Sequence, residues 1–303
     1  LSVVEGPAQA QEWSDFNRPY IETAVSLLKR LPSTREHWRF VQKERIPLEV
    51  SDNPAHVDDN TLGAYDMVER HIYIDQVELV RAAEGLVDDG VSNRTTAEVL
   101  AWKSMPVVVH ELTHGMIHDR VWRLVGRPFV FPSLEDEKLA FYDECLALFD
   151  MFDEKPELWA KERLLDMDKN MAAVLKYWLR GPAGLEDLVA GLYDHRPSLL
   201  TATDDELRLI AQRRAGSMRS SLAGMREASR AVSAYGPEMT GVSQRFVRDL
   251  PQALARAERS LKLVSAAEDL FADPAALARV KAFYKAELEA RRAKLELRRP
   301  AKS

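Results

Sequence analysis

The stretch VVVHELTHGMIHDR, from Val107 to Arg120, sets His110, Glu111 and His114 in the pattern H-E-x-x-H. Residues four apart on a helix share a face about one turn apart, so the two imidazoles can bind one ion. Glu111 is a step around the helix and can reach a water on that ion without ligating it. The chemistry open to such a set is hydrolysis. A catalytic zinc keeps three protein ligands and an open position, lowers the pKa of water there toward neutrality, and leaves a nearby carboxylate to take the proton. Val107, Val108, Val109, Leu112, Met116 and Ile117 mark the helix as a buried one. Buried imidazoles need a partner other than bulk water.

A third ligand has to come from elsewhere. Candidates are Glu135, Asp136, Glu137, Asp143, Glu144 and Cys145, all in the segment PSLEDEKLAFYDECLALFDMF, together with His118. His118 lies two turns beyond His110, about 12 Å along the axis, and cannot share an ion with both other histidines. Acids in the first turn after Ser133 are also favoured simply by the helix dipole.

HELTH on an apolar helix, after GAYDMVERHIYID and before EDEKLAFYDE, resembles the zincin metallopeptidases of the gluzincin type over roughly residues 62–152. A metzincin would carry glycine and histidine where this chain has Ile117 and Arg120. The resemblance implies Zn2+ as cofactor, a peptide or protein as substrate, and a glutamate on a later helix as third ligand. In such sequences the ligand precedes an alanine–aromatic pair. EKLAF puts Glu137 three residues before Ala140 and makes it the preferred ligand, with Glu144 the runner-up. By the same resemblance Glu111 is the general base, and a downstream histidine or tyrosine stabilises the oxyanion. His195, in GLYDHRPS, is the first choice there, with Tyr193, Arg196 and Tyr142 as options.

The surrounding pattern predicts the elements that hold these groups. RPYIETAVSLLKR has helical periodicity through Ile21, Val25 and Leu28. A strand is expected around Ile46–Val50, turn chemistry over 51–60, and short strands in TLGAYD and RHIYID, where Ile72 and Ile74 alternate with polar residues. RHIYID is the expected edge that could take an extended peptide by strand addition. VELVRAAEGLV reads as a helix. Thr95 and Glu98 have capping-box spacing at the head of the next one, in which Pro106 should produce a kink or a fresh start. Gly126 and Pro128 should end it, and Ser133 should cap the acidic helix. From Lys155 onward the chain reads as helices broken at RGPAG, HRPS, AYGPE and ADP.

The expected fold is therefore α+β and predominantly helical. Residues 1–154 would form a zincin-like catalytic core with a small N-terminal sheet, and residues 155–303 a helical region packing on it. With 303 residues, 46% hydrophobic and 30% charged, the chain has the balance of a globular protein. A net charge of -6 gives no footing for nucleic acid, and no apolar run reaches the roughly 20 residues of a membrane span. The locally basic end, ARRAKLELRRPAKS, reads as a solvated helix terminus. One cysteine allows no intrachain disulfide. A start at Leu1 rather than Met leans to a secreted or periplasmic bacterial protein. A di-iron bundle would need a second E-x-x-H pair, which the sequence lacks. The remaining rival is a catalytically inactive zincin-like binding or scaffold protein, which would hold no metal.

Overall fold

Twelve elements order the chain among the residues that the computed structural model describes: 7–51, 62–76, 78–79, 81, 92–156, 180–235 and 243–298. They are helices α1 (Pro7–Arg30) and α2 (Arg35–Glu44), with a 3-10 turn (Pro32–Thr34) between them; strands β1 (Leu48–Ser51), β2 (Gly63–Asp66) and β3 (His71–Asp75); and helices α3 (Asn93–Val125), α4 (Leu134–Glu154), α5 (Pro182–Leu192), α6 (Asp204–Tyr235), α7 (Gln244–Phe271) and α8 (Pro274–Leu297). Helix predominates over one small sheet, as the α+β expectation had it. Residues 52–61, most of the helix expected in 77–87, and 157–179 lie outside the described residues. No described helix is long and apolar enough to cross a membrane.

The chain divides into two compact units, each drawing on both sides of residue 154. The first takes Leu1–Ile117, Asp136–Asp194 and Ala286–Ser303; the second takes His118–Glu135 and His195–Lys285.

In the first unit the strand order is β1-β3-β2, with β3 parallel to β1 and antiparallel to β2. The strand expected as a peptide-binding edge, RHIYID, is therefore the central one. Its alternation is real, since Ile72 and Ile74 are buried, but both its edges are already paired. Among the described residues the outer edges belong to β1 and β2. The β2–β3 connection is tied down by Asp66, whose Oδ1 accepts the N–H groups of Val68 at 2.8 Å and Glu69 at 3.0 Å. Asp75 N–H donates to Leu62 O at 2.9 Å. Antiparallel pairing alternates, so Ala64 and Asp66 also face β3 and the peptide groups of Gly63 and Tyr65 face outward.

Helix α3 runs without a break through Pro106. It starts at Asn93 rather than at Thr95. Ser92 Oγ accepts the Thr95 N–H at 3.3 Å, and Glu98 pairs with Arg94 instead of closing a capping box. Gly126, at φ 73°, ends the helix as expected, its N–H reaching Trp122 O at 2.8 Å. The Tyr20 and Ser104 hydroxyls, 2.6 Å apart, tie α1 to α3.

Strand β2 lies along one face of α3. A Cβ on Gly63 would stand 3.2 Å from the Val107 side chain, and one on Gly115 would stand 2.6 Å from the Tyr65 ring. Val107, Glu111 and Gly115 recur every four residues, which keeps them on that face.

In the second unit α6 and α7 pack antiparallel, as Arg219–Glu268 at 2.5 Å and Arg226–Glu258 at 2.7 Å show by their opposite chain directions. Thr203 and Glu206 form a capping box at the head of α6. Phe129, Phe131 and Phe271 form a buried aromatic cluster.

Gly115 is required by the Tyr65 ring. Gly115→Ala is expected to destabilise the protein by ~1–3 kcal/mol through overpacking. In a Tyr65→Ala background the same change should become stabilising by up to ~1 kcal/mol, as for Gly→Ala in any helix. Denaturant unfolding of the four proteins checks this sign reversal.

Candidate metal centre

Helix α3 turns its next face toward α4. His110 and His114 lie there with ring centroids 4.9 Å apart, and both side chains are buried. On α4, Glu137, Ala140, Phe141 and Glu144 share a facing stripe, spaced three and four residues apart. The small, fully buried Ala140 fills that stripe beside Glu137. Phe141 meets the His110 ring edge-on at 4.9 Å.

The acids of the α4 segment divide their tasks. Glu137 faces both imidazoles: its Oε2 is 3.5 Å from His110 Nε2 and its Oε1 is 3.5 Å from His114 Nε2. Glu144 Oε2 sits 3.0 Å from His110 Nδ1, on the opposite side of that ring. Asp136 Oδ2 sits 2.7 Å from His114 Nδ1. Each ring thus has Nδ1 toward a carboxylate that fixes it as the N–H, and Nε2 toward Glu137. Glu135 faces elsewhere, accepting the Ser198 hydroxyl at 2.5 Å and the Leu199 N–H at 2.6 Å within the second unit. Asp143 is engaged by Arg291 and Thr113. Cys145 is buried and its thiol is pushed up by burial and by Glu144, so it offers no thiolate.

The two carboxylate oxygens of Glu137 face the two Nε2 atoms, acceptor against acceptor wherever the rings are neutral. A proton on a ring nitrogen or a cation between the groups would make that arrangement favourable. His110, His114 and Glu137 offer three ligand atoms within 4.8 Å of one another. Ligands on a four-coordinate zinc with bonds of ~2.0–2.1 Å lie about 3.3 Å apart, close to the observed 3.5 Å separations. Donor types, burial and spacing therefore fit such an ion. The same carboxylates also favour protonated rings. Burial lowers the His110 imidazole, but Glu137 and Glu144 outweigh it and hold it well above its ordinary value. His114 is raised in the same way by Asp136 and Glu137.

Glu111 is on the β2-facing side, where Tyr65 N–H donates to its Oε2 at 2.9 Å. This is one of the two outward-facing peptide groups of β2. Burial and Glu137 raise the Glu111 carboxyl above its ordinary value, against the opposing pull of the two imidazoles and of the Tyr65 N–H. A raised carboxylate is the stronger base.

The expected oxyanion residues fare differently. Tyr142 is buried and its hydroxyl donates to Glu186, so its one proton is engaged. Tyr193 belongs to the first unit, its ring 6.1 Å from Phe141. His195 is exposed and belongs to the second unit. Asp136 and the Tyr65 peptide group were not given these tasks by sequence. The signal available for Asp136 was its place one residue before Glu137 in a buried first turn. No sequence signal marks a backbone N–H.

Comparison with models of protein families, with curated proteins and with solved structures found no match.

Behind the centre, Asp143 is tied to Arg291. Burial would raise the Asp143 carboxyl, but Arg291 and then His37 outweigh it and hold it well below the usual carboxylate range. A carboxyl depressed in the fold contributes fully above its unfolded pKa of about 3.9 and loses that contribution as pH falls toward the folded value. Asp143→Asn is expected to destabilise by ~3–5 kcal/mol near neutral pH, because it strips Arg291 of a buried partner. The gap to wild type should narrow by about 1 kcal/mol at pH 3. Urea titrations of the two proteins across pH 3–7 test this, and a gap independent of pH would contradict it.

Proposed function

We propose that this chain is a zinc-dependent peptidase with a zincin-like core, His110, His114 and Glu137 being the ligands and Glu111 the general base. The observation that carries the reading is the orientation of the two imidazoles. Each has its Nδ1 held by its own carboxylate and its Nε2 aimed at Glu137. Carboxylate–histidine pairs of this kind fix tautomer and direction in metal sites. Zinc bound there would supply Lewis acidity and bring the pKa of water in its open position toward neutrality.

The chain's own residues then have distinct roles. Glu111, with Oε2 anchored by the Tyr65 N–H, keeps Oε1 to accept a proton from water and to pass it to the leaving amine. An extended peptide adds to the outward edge of β2, where the Gly63 peptide group is next to Glu111's anchor. The scissile carbonyl is thereby brought to the face of α3 that carries Glu111. Tyr193, whose ring is 6.1 Å from the Phe141 ring that also meets His110, is the preferred donor to the oxyanion.

The test is elemental analysis, a chelator competition and a peptide-cleavage screen on one set of proteins. Wild type is expected to hold about one zinc per chain and to cleave. His114→Ala and Glu137→Ala should lose the metal. Asp136→Asn and Glu144→Gln should weaken it ~10–100-fold. Glu111→Gln should keep zinc and lose cleavage, and Tyr193→Phe should keep zinc and lower kcat ~100-fold. Zinc in wild type without cleavage of any peptide would sink the peptidase reading, and absence of zinc after reconstitution would leave the binding or scaffold protein in its place.

A further inference from the structure

One buried charge cluster of the first unit has no part in the chemistry above. Arg291, near the end of α8, is only 5% exposed. Its Nε donates to Asp143 Oδ1 at 2.9 Å, and its Nη1 donates to Glu287 one turn earlier. The locally basic chain end is therefore not wholly a solvated terminus. Asp143 Oδ2 lies 3.2 Å from Thr113 Oγ1 and 3.4 Å from His37 Nε2. His37 Nε2 is in turn 2.9 Å from Thr113 Oγ1. The threonine also reaches Val109 O at 2.8 Å. Its single proton serves Val109 or Asp143, while its lone pairs accept from His37. His37 Nδ1 is buried with no hydrogen-bond partner, which suits the tautomer with its proton on Nε2.

Segments from α2, α3, α4 and α8 thus meet on one carboxylate. An isolated buried ion pair contributes little net stability compared with apolar residues of the same volume. What this one does fix is position. Thr113 lies between His110 and His114 on α3. Asp143 directly precedes Glu144, which holds His110 Nδ1, and follows Asp136, which holds His114 Nδ1, by seven residues on the same helix. The clamp joins α3 and α4 at the level of the ligands. A site of this type tolerates only about 0.5 Å of displacement.

We propose that Arg291 is a positioning residue of the metal centre: through Asp143 and Thr113 it locks the helix bearing the two imidazoles against the helix bearing Glu137. The last turns of the chain are then part of the site. This rests on the assignment of His110, His114 and Glu137 as ligands.

The experiment uses the full chain with Co2+ as the probe. Affinity is read by chelator competition, coordination by the visible absorption of bound Co2+, and folding by far-UV circular dichroism and urea unfolding of the metal-free protein. Arg291→Met is expected to weaken Co2+ binding ~10–100-fold and to alter the absorption bands, under conditions where its circular dichroism matches wild type. Arg291→Lys should recover part of the affinity. Thr113→Val keeps the ion pair and the side-chain shape but removes the link to α3, and it should reproduce the spectral change. Wild-type affinity and spectrum in Arg291→Met would overturn the proposal, whatever the loss in urea stability. If that variant does not fold, an unaltered Thr113→Val spectrum overturns it alone. Failure of wild type to bind Co2+ would instead remove the metal assignment itself.

Discussion

Helices α3 and α4 meet across two imidazole nitrogens directed at one carboxylate. In a dry setting His110 Nε2, His114 Nε2 and Glu137 need a positive charge among them, a ring proton or a cation, because three bare acceptors would repel. Both rings could escape by rotating, but Glu144 and Asp136 hold their far nitrogens. The restraint comes from outside the cluster, and it forces α3 and α4 into a single register. Phe141 against His110 and the absence of any bulk at Ala140 serve that close approach.

Helix α3 accordingly has no solvent face through its central turns, and three sides with separate tasks. Val107, Glu111 and Gly115 meet β2. His110 and His114 meet Glu137. Val109 and Thr113 lie toward His37 and Asp143. Successive residues are turned about 100° from one another, so the five residues from 110 to 114 are enough to visit all three. This is why a pattern as short as HELTH can organise a unit. Its threonine, which a motif leaves unspecified, is the residue that carries the third side.

How much of this the sequence discloses depends on how local each cause is. The helical pairing of His110 with His114 is a four-residue fact and was legible at once. Glu137 was reached only through resemblance, because Glu135, Asp136, Glu137 and Glu144 all satisfy the same helical preferences. Which acid faces which nitrogen is decided by the approach of α3, and that is not a local property. RHIYID was expected at an edge and lies at the centre of β1-β3-β2 for the same reason. RHIYID shows a clean alternation, but alternation reports which face is buried and says nothing about how many neighbours a strand has. The helix start at Asn93, behind Ser92, rather than at Thr95 was a choice between two hydroxyls three residues apart, within the usual uncertainty of helix ends.

Arg291 is the instructive miss. Counting charges over ARRAKLELRRPAKS gives a basic, solvated tail, yet the helical period said otherwise. Leu277, Tyr284 and Arg291 recur every seven residues, with Leu295 four further on, and all four are buried. A guanidinium on an apolar stripe has to find a carboxylate, because desolvating it alone would be prohibitive. Composition averages over the whole circumference of a helix, whereas burial acts on one side of it. The partner could not be named from sequence, since Asp143 lies 148 positions away. That a buried partner must exist could have been, and the same reasoning from an ill-placed polar group to its hidden counterpart is what leads from HELTH to a cation.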